Sequence, residues 1–339
     1  MPRVGLVWVL AVVVGCSACS RESPDPGLSK SLLKPLRIGL VAKSLGNGFF
    51  TAIHKGADEA AGELGGVQVI FTGPTSPTAE GQIEVVSALI AQHVDAIAIS
   101  ANDPDALVPI LKRAASRGIK VISYDSAVAP DGRLVHLAPS SDVLIGETCI
   151  ELAAAAAPGG AGEFAILSAT PTSTNQNAWI DAMRSALPHF PGLVLVATVY
   201  GDDLADKSYR EAAALLKRYP HLAVIVSPSS VGIVAAAKAI EDAGATGRVW
   251  VTGLGLPSEL AGHVTAGSVK SFAIWNPIDL GYATTQLAVR IVRGSPAGAG
   301  ATVSIGRLGE VTFDATGSGP MGRPFLYDRS NVAQYANVF

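Results

Sequence analysis

From Leu36 to the C-terminus, short apolar runs rich in β-branched residues alternate with longer, alanine-rich amphipathic stretches, and this alternation constrains the fold more than anything else in the chain. The runs are Arg37–Ala42, Val67–Thr72, Ala96–Ser100, Lys120–Tyr124, Glu163–Leu167, Leu193–Thr198, Ala223–Val226, Val249–Leu254 and Ser271–Ile274. Between them, Phe49–Leu64, Ala79–Gln92, Ala106–Arg117, Val143–Ala157, Ala178–Leu187, Lys207–Tyr219, Val231–Ala243 and Ile278–Arg293 carry helical spacing. The runs are continuously apolar, as parallel strands buried on both faces must be. This predicts an α/β fold with doubly wound parallel sheets flanked by helices. One such sheet rarely carries so many strands, so two sheets and two lobes are expected. A break falls near Leu137 to Ser141, before a helix whose N-cap is Ser141 or Asp142.

Length and charge agree with that layout. At 339 residues and 49% apolar, the chain can bury a sizeable core in each of two domains. A net charge of −3 with 16% charged residues leaves no basic field, so nucleic acid is not expected as a partner.

The N-terminus reads as an export signal, with Arg3 as a thin positive region and Val4 to Val14 as an apolar stretch too short to cross a bilayer. Val13-Val14-Gly15-Cys16 resembles the bacterial lipobox, which implies cleavage after residue 15 and diacylation of the Cys16 sulfur. Cys19 is a second candidate, and an ordinary cleaved signal with two incidental cysteines is the alternative. Residues 1–15 are thus expected to be a lipoprotein signal peptide and 16–35 the anchor and tether, the stretch Ser20 to Ser31 being polar with Pro24 and Pro26. The resulting localisation is the extracytoplasmic face of a cell membrane, held by lipid. Cys149 is the only other cysteine, so it has no disulfide partner within the domain and reads as a small buried apolar residue.

Ligands of open α/β sheets bind beyond the carboxyl ends of the strands. After the first strand stands Lys43-Ser44-Leu45-Gly46-Asn47-Gly48-Phe49-Phe50. A sugar needs hydrogen-bonding groups for its hydroxyls and a flat apolar face for its C–H surface, and Lys43 with Phe49 or Phe50 offers both. Alternatively Phe50 belongs to the core and Lys43 to a solvated face. Asn102 or Asp103, after the third run, can cap the following helix. Asp125 ends a strand with no helix start directly behind it, which points to a carboxylate accepting ligand hydroxyls. Thr174-Asn175-Gln176-Asn177-Ala178-Trp179 gathers three amides beside an aromatic ring; amides both donate and accept, as vicinal diols require, although the same cluster can serve as an N-cap.

Catalytic motifs are missing. Gly46 and Gly48 have no third glycine at Thr51, which rules out the dinucleotide fingerprint, and no phosphate loop, His-Glu-x-x-His or Gly-x-Ser-x-Gly is present. The six histidines are scattered, with His54 and His93 read inside helices. No acid, base and nucleophile set emerges, so no enzyme, cofactor or metal is expected.

Taken together, Leu45-Gly46-Asn47-Gly48-Phe49-Phe50, Thr72-Gly73-Pro74-Thr75, Ala98 to Leu107, Thr174 to Trp179, Val199-Tyr200-Gly201-Asp202-Asp203, Thr252 to Glu259 and Ile274 to Gly281 resemble the type I periplasmic sugar-binding proteins. Within that ribose-binding-like superfamily the chain is most similar to the rhamnose-binding proteins of ABC importers, with the autoinducer-2 receptor as a sibling. The resemblance implies two Rossmann-like lobes joined by three crossings, near Leu137, Trp275 and Ser304, with lobes of 36–137 plus 276–304 and 138–275 plus 305–339. It implies a monomer that captures a small neutral sugar and hands it to an ABC permease. It places ligand contacts on Lys43, Phe49, Phe50, Asn102, Asp125, Asn175, Gln176, Pro228, Ser230, Trp275 and Asn276. The autoinducer receptor has an aspartate where Asn175 stands, which favours the rhamnose branch. Relatives usually carry Asn-Gln where this chain has Ala138-Pro139, so a polar contact on the hinge side is lost.

Overall fold

Six strands form one sheet: β1 (Leu36–Val41), β2 (Val67–Thr72), β3 (Ala96–Ile99), β4 (Lys120–Tyr124), β5 (His136–Ala138) and, from far along the chain, β13 (Ser318–Pro320). All pair in parallel, in the order β13-β5-β4-β3-β1-β2. A second parallel sheet has the order β7-β6-β8-β9, from β6 (Gly162–Ser168), β7 (Leu193–Tyr200), β8 (Leu222–Ser227) and β9 (Trp250–Gly253). Strand β10 (Ser271–Ile274) meets this sheet through a parallel bridge between Leu254 and Ala273 and pairs antiparallel with β14 (Phe325–Asp328). A hairpin of β11 (Thr302–Ser304) and β12 (Glu310–Thr312) stands apart. These coordinates come from a computed structural model that describes residues 34–339 together with residues 1, 2 and 5. The anchor candidates Cys16 and Cys19, and most of the expected signal and tether, lie outside the described residues.

Helices cover the sheets: α1 (Gly48–Leu64), α2 (Ala79–Ala91) and α3 (Val108–Ser116) in the first half, then α4 (Asp142–Ala156), α5 (Thr174–Ala186), α6 (Ala205–Arg218), α7 (Ser230–Asp242), α8 (Pro257–Ala266), α9 (Pro277–Val292) and the short α10 (Val332–Tyr335). The central strands have apolar neighbours on both faces, β3 and β8 being buried along their whole length, whereas the edge strands β2 and β7 are mostly half-buried. Several helix starts follow from capping. The side chains of Asn47, Thr78, Ser141, Ser229 and Asn276 accept backbone N–H groups of the first turn, which settles the N-cap of α4 as Ser141. His93 lies just beyond α2, in left-handed backbone (φ 53°), and not within the helix.

Helix α9 belongs to the first lobe although the strand before it sits beside the second sheet. Its backbone touches that of α1 directly: a Cβ on Gly56 would lie 1.8 Å from the Ile278 carbonyl oxygen, and one on Gly281 would lie 1.9 Å from that of Ile53. The two glycines let the helices approach closely enough to fix α9 there. The chain therefore passes between the sheets after β5, after β10 and between β13 and β14. This corrects the crossing expected near Ser304, because β13 extends the first sheet beside β5 and takes the preceding residues with it. The Met321 and Gly322 amides donate to the Ala138 and Pro139 carbonyls (2.9 and 3.2 Å), joining the first and last crossings. Cys149, fully buried in α4, packs as an apolar residue, and burial pushes its thiol up to about 12.

Candidate functional site

Each sheet reverses its strand order once, β1 against β3 in the first and β6 against β8 in the second, and loops part at those points to leave a crevice. The carboxyl ends of both sheets contribute to one cavity. It encloses about 380 Å³ of space free of protein atoms, part of it open to solvent. Nine of the eleven residues expected at a site line it: Lys43, Phe49, Phe50, Asp125, Asn175, Gln176, Pro228, Ser230 and Trp275.

Its polar floor joins the two lobes. The Lys43 ammonium, which follows β1, donates to Ser173 Oγ (2.7 Å) and to Asn175 Oδ1 (2.9 Å) across the cleft. The Asn175 amide in turn donates to Asp125 Oδ1 (3.3 Å), while Ser100 Oγ donates to the other oxygen of that carboxylate (2.7 Å). Asn175 is thereby oriented: its oxygen faces the cation and its nitrogen the anion. Burial pushes Lys43 below the ordinary lysine range, against the pull of Asp125 and then Asp203. Burial also raises Asp125, opposed first by Lys43. Asp125 holds a left-handed backbone (φ 57°), a conformation that aspartate tolerates better than most side chains and that turns its carboxylate off the strand end. Gln176 is fixed by Ser168 Oγ and the Ala169 N–H, both donating to its Oε1 at 2.8 Å.

The opposite wall is aromatic. Phe50 packs edge-on to Phe49, Phe49 to Trp275 and Trp275 to Trp179, with centroids 5.3, 6.0 and 5.7 Å apart. Trp179 donates its indole N–H to Asp142 (2.9 Å), whereas the buried Nε1 of Trp275 has no partner among the described residues. The cavity lining thus combines hydrogen-bonding groups with aromatic rings.

Two expected contacts are elsewhere. The Asn102 amide is occupied by the Lys43 carbonyl (2.8 Å) and the Thr78 carbonyl (3.2 Å), so it braces the loop that carries Lys43 and does not line the cavity. Asn276 caps α9, accepting from the Ile278 amide (2.9 Å), and likewise does not line it. Six further lining residues were not among the expected contacts: Asn47, Trp179, Asp203, Ser229, Leu254 and Ile274. Trp179 carried a visible signal, an aromatic beside three amides; Asp203 stood in the stretch Val199 to Asp203 with nothing in it that marked a contact. Ala138 lies in the wall of a second cavity, which shares Asp125 and Asn175 with the first.

Two parallel α/β lobes around one polar and aromatic cleft are built to capture a small solute, and the comparisons with known proteins place the chain among solute-binding proteins. The chain belongs to the periplasmic binding protein domain family, which it matches over residues 38–296. It is 30% identical over 274 residues to the D-ribose/D-allose-binding protein of Pseudomonas aeruginosa, covering 75% of this chain and 81% of that one. Among solved structures, an ABC transporter solute binding protein from Clostridium phytofermentans with bound L-rhamnose is 35% identical, with a TM-score of 0.86 over 90% of this chain and 99% of that chain. The LsrB protein of Clostridium saccharobutylicum in complex with AI-2, at 21% identity and a TM-score of 0.83 over 88% of this chain and 99% of the other, shares the fold.

Proposed function

We propose that this chain is the substrate-binding component of an ABC sugar importer and captures a small neutral sugar, L-rhamnose or a related deoxyhexose, between its lobes. One observation carries the reading: a buried floor of ammonium, amide and carboxylate faces a wall of four aromatic rings. Such a cleft fits a ring with hydroxyls on one face and C–H groups on the other. The rhamnose-bound relative at 35% identity supports the same choice. The ligand contacts are Lys43, Asp125, Asn175 and Gln176 with Phe49, Phe50, Trp179 and Trp275, bordered by Pro228 and Ser230; Asn102 and Asn276 support the loops behind them. A receptor for autoinducer-2 is the second reading, disfavoured by the amide at Asn175. A thermal-shift panel of L-rhamnose, other hexoses, pentoses and autoinducer-2 decides between them. A ligand at 100 times its dissociation constant stabilises the folded state by about 2.7 kcal/mol. A larger shift with autoinducer-2 than with any sugar would overturn the importer reading.

The protein is anchored outside the cytoplasmic membrane through diacylated Cys16, two acyl chains sufficing for stable attachment where one does not. Cys16→Ser, made in a bacterial host, is expected to move from the detergent phase to the aqueous phase on partitioning. Retention in detergent would transfer the anchor to Cys19.

A further inference from the structure

We infer that Asp203 is a second ligand carboxylate, supplied by the second lobe, and that the cleft selects solutes with hydroxyl donors on two opposite edges while rejecting anionic ones. The inference rests on the sugar-binding reading and extends it.

Asp203 lies in the turn after β7 and lines the same cavity as Lys43 and Asp125. The turn is costly to make. Asp202 and Asp203 both take left-handed backbone (φ 55° and 50°), a region that residues other than glycine rarely adopt twice in succession. It is nevertheless closely held: the Gly201 and Asp202 amides donate to the Ser168 and Ala169 carbonyls (2.8 and 2.9 Å), and Lys207 pairs with Asp202. Strain retained by that many contacts marks a side chain that has to point in a particular direction.

The carboxylate is aimed by Ser229. That hydroxyl already accepts the Gly232 amide as N-cap of α7 (2.9 Å), and it gives its single proton to Asp203 Oδ1. One oxygen is thereby satisfied. Among the described residues nothing donates to Asp203 Oδ2. Lys43 spends two of its three N–H groups on Ser173 and Asn175, which leaves one for a ligand acceptor. A sugar ring in the cavity would then meet Asp125 from the first lobe and Asp203 from the second, with the ammonium beside both. Two carboxylates against one ammonium make the cleft negative, so a uronate or a sugar phosphate is repelled where a neutral polyol is not.

Asp203→Asn is the informative variant, because its Oδ1 keeps the Ser229 bond while its other position can only donate. Calorimetric titration of the intact protein uses the monosaccharide giving the largest thermal shift and its uronate counterpart. Asp203→Asn is expected to weaken the neutral sugar by about 10- to 100-fold and to narrow the preference over the uronate by at least about tenfold. Wild-type affinity for the sugar, or unchanged discrimination against the uronate, would leave Asp203 as a turn residue and overturn the inference. If no monosaccharide binds the wild-type protein, the sugar-binding reading itself fails, an outcome distinct from a variant that binds like the wild type.

Discussion

Asp125→Ala is expected to weaken sugar binding at least about a hundredfold and to lower the melting temperature of the ligand-free protein as well. The first effect follows from chemistry: hydrogen bonds to a charged group contribute about 1.5–3 kcal/mol each, and this carboxylate can take two ligand hydroxyls besides Ser100 and Asn175. The second follows from its neighbours. Lys43 is 4% exposed, and removing Asp125, which favours its charged form more than Asp203 does, leaves a buried ammonium less compensated. Alanine is also a poorer occupant than aspartate of the left-handed backbone at this position.

The two effects separate by substitution. Asp125→Asn preserves shape and backbone preference, so it removes charge without the conformational cost. Combining Asp125→Asn with Lys43→Met removes both charges and should recover most of the melting temperature while binding stays lost. Calorimetry and melting of the three variants check this. Binding within a few-fold of wild type in a folded Asp125→Asn protein would make Asp125 a structural counter-ion and move the ligand away from the floor of the cleft.

How far the sequence reached depended on whether a residue acts through its own strand or through a partner brought from elsewhere. Strand ends were legible because β1, β3, β4, β6 and β8 are continuous apolar runs, and Lys43, Asp125 and Asn175 follow such ends. Strand β13 was not, since Ser318-Gly319-Pro320 has neither apolar content nor length; only pairing with β5 makes it a strand, and the third crossing was misplaced accordingly. Asp203 was hidden for a related reason. Gly201-Asp202-Asp203 spells a turn, and what turns the carboxylate into the cleft is Ser229, 26 residues further on. Conversely, Asn102 and Asn276 do not line the cavity: the Asn102 Nδ2 donates to the Lys43 and Thr78 carbonyls, and Asn276 caps α9 while its Nδ2 donates to Asp279, pairings that no linear pattern reveals.

Mild acid should destabilise the protein through His136, and His136→Gln should remove most of that sensitivity. His136 lies in β5, between β4 and β13, with its ring 3.0 Å from the Ser123 hydroxyl. Burial, then the nearby Arg133 guanidinium, hold it down to about 3, against the weaker pulls of Ser123 and Asp314. A histidine whose folded pKa lies below its unfolded value of 6.5 binds its proton in the unfolded chain first. Its contribution to stability is therefore complete above pH 6.5 and declines as the pH falls toward 3. At 1.36 kcal/mol per unit the full decline is roughly 5 kcal/mol, of which about 2 kcal/mol falls between pH 7.5 and 5. Asp125, Asp142 and Glu259 work the other way: burial raises them, so they gain stability as the pH drops. Asp314 and Asp328, held low by hydrogen bonds, lose stability only nearer the ordinary aspartate value of 3.8. All five are unchanged in His136→Gln, so the difference between the two proteins isolates the imidazole. Urea unfolding at pH 7.5 and pH 5 should show the wild type losing about 2 kcal/mol more than the variant. An equal loss in both would mean that β5 stays paired with a protonated histidine and that the acid-sensitive step lies elsewhere. Because β5 leads directly into the crossing at Ala138, a result as expected would also place the acid-labile part of the fold beside the first connection between the two sheets.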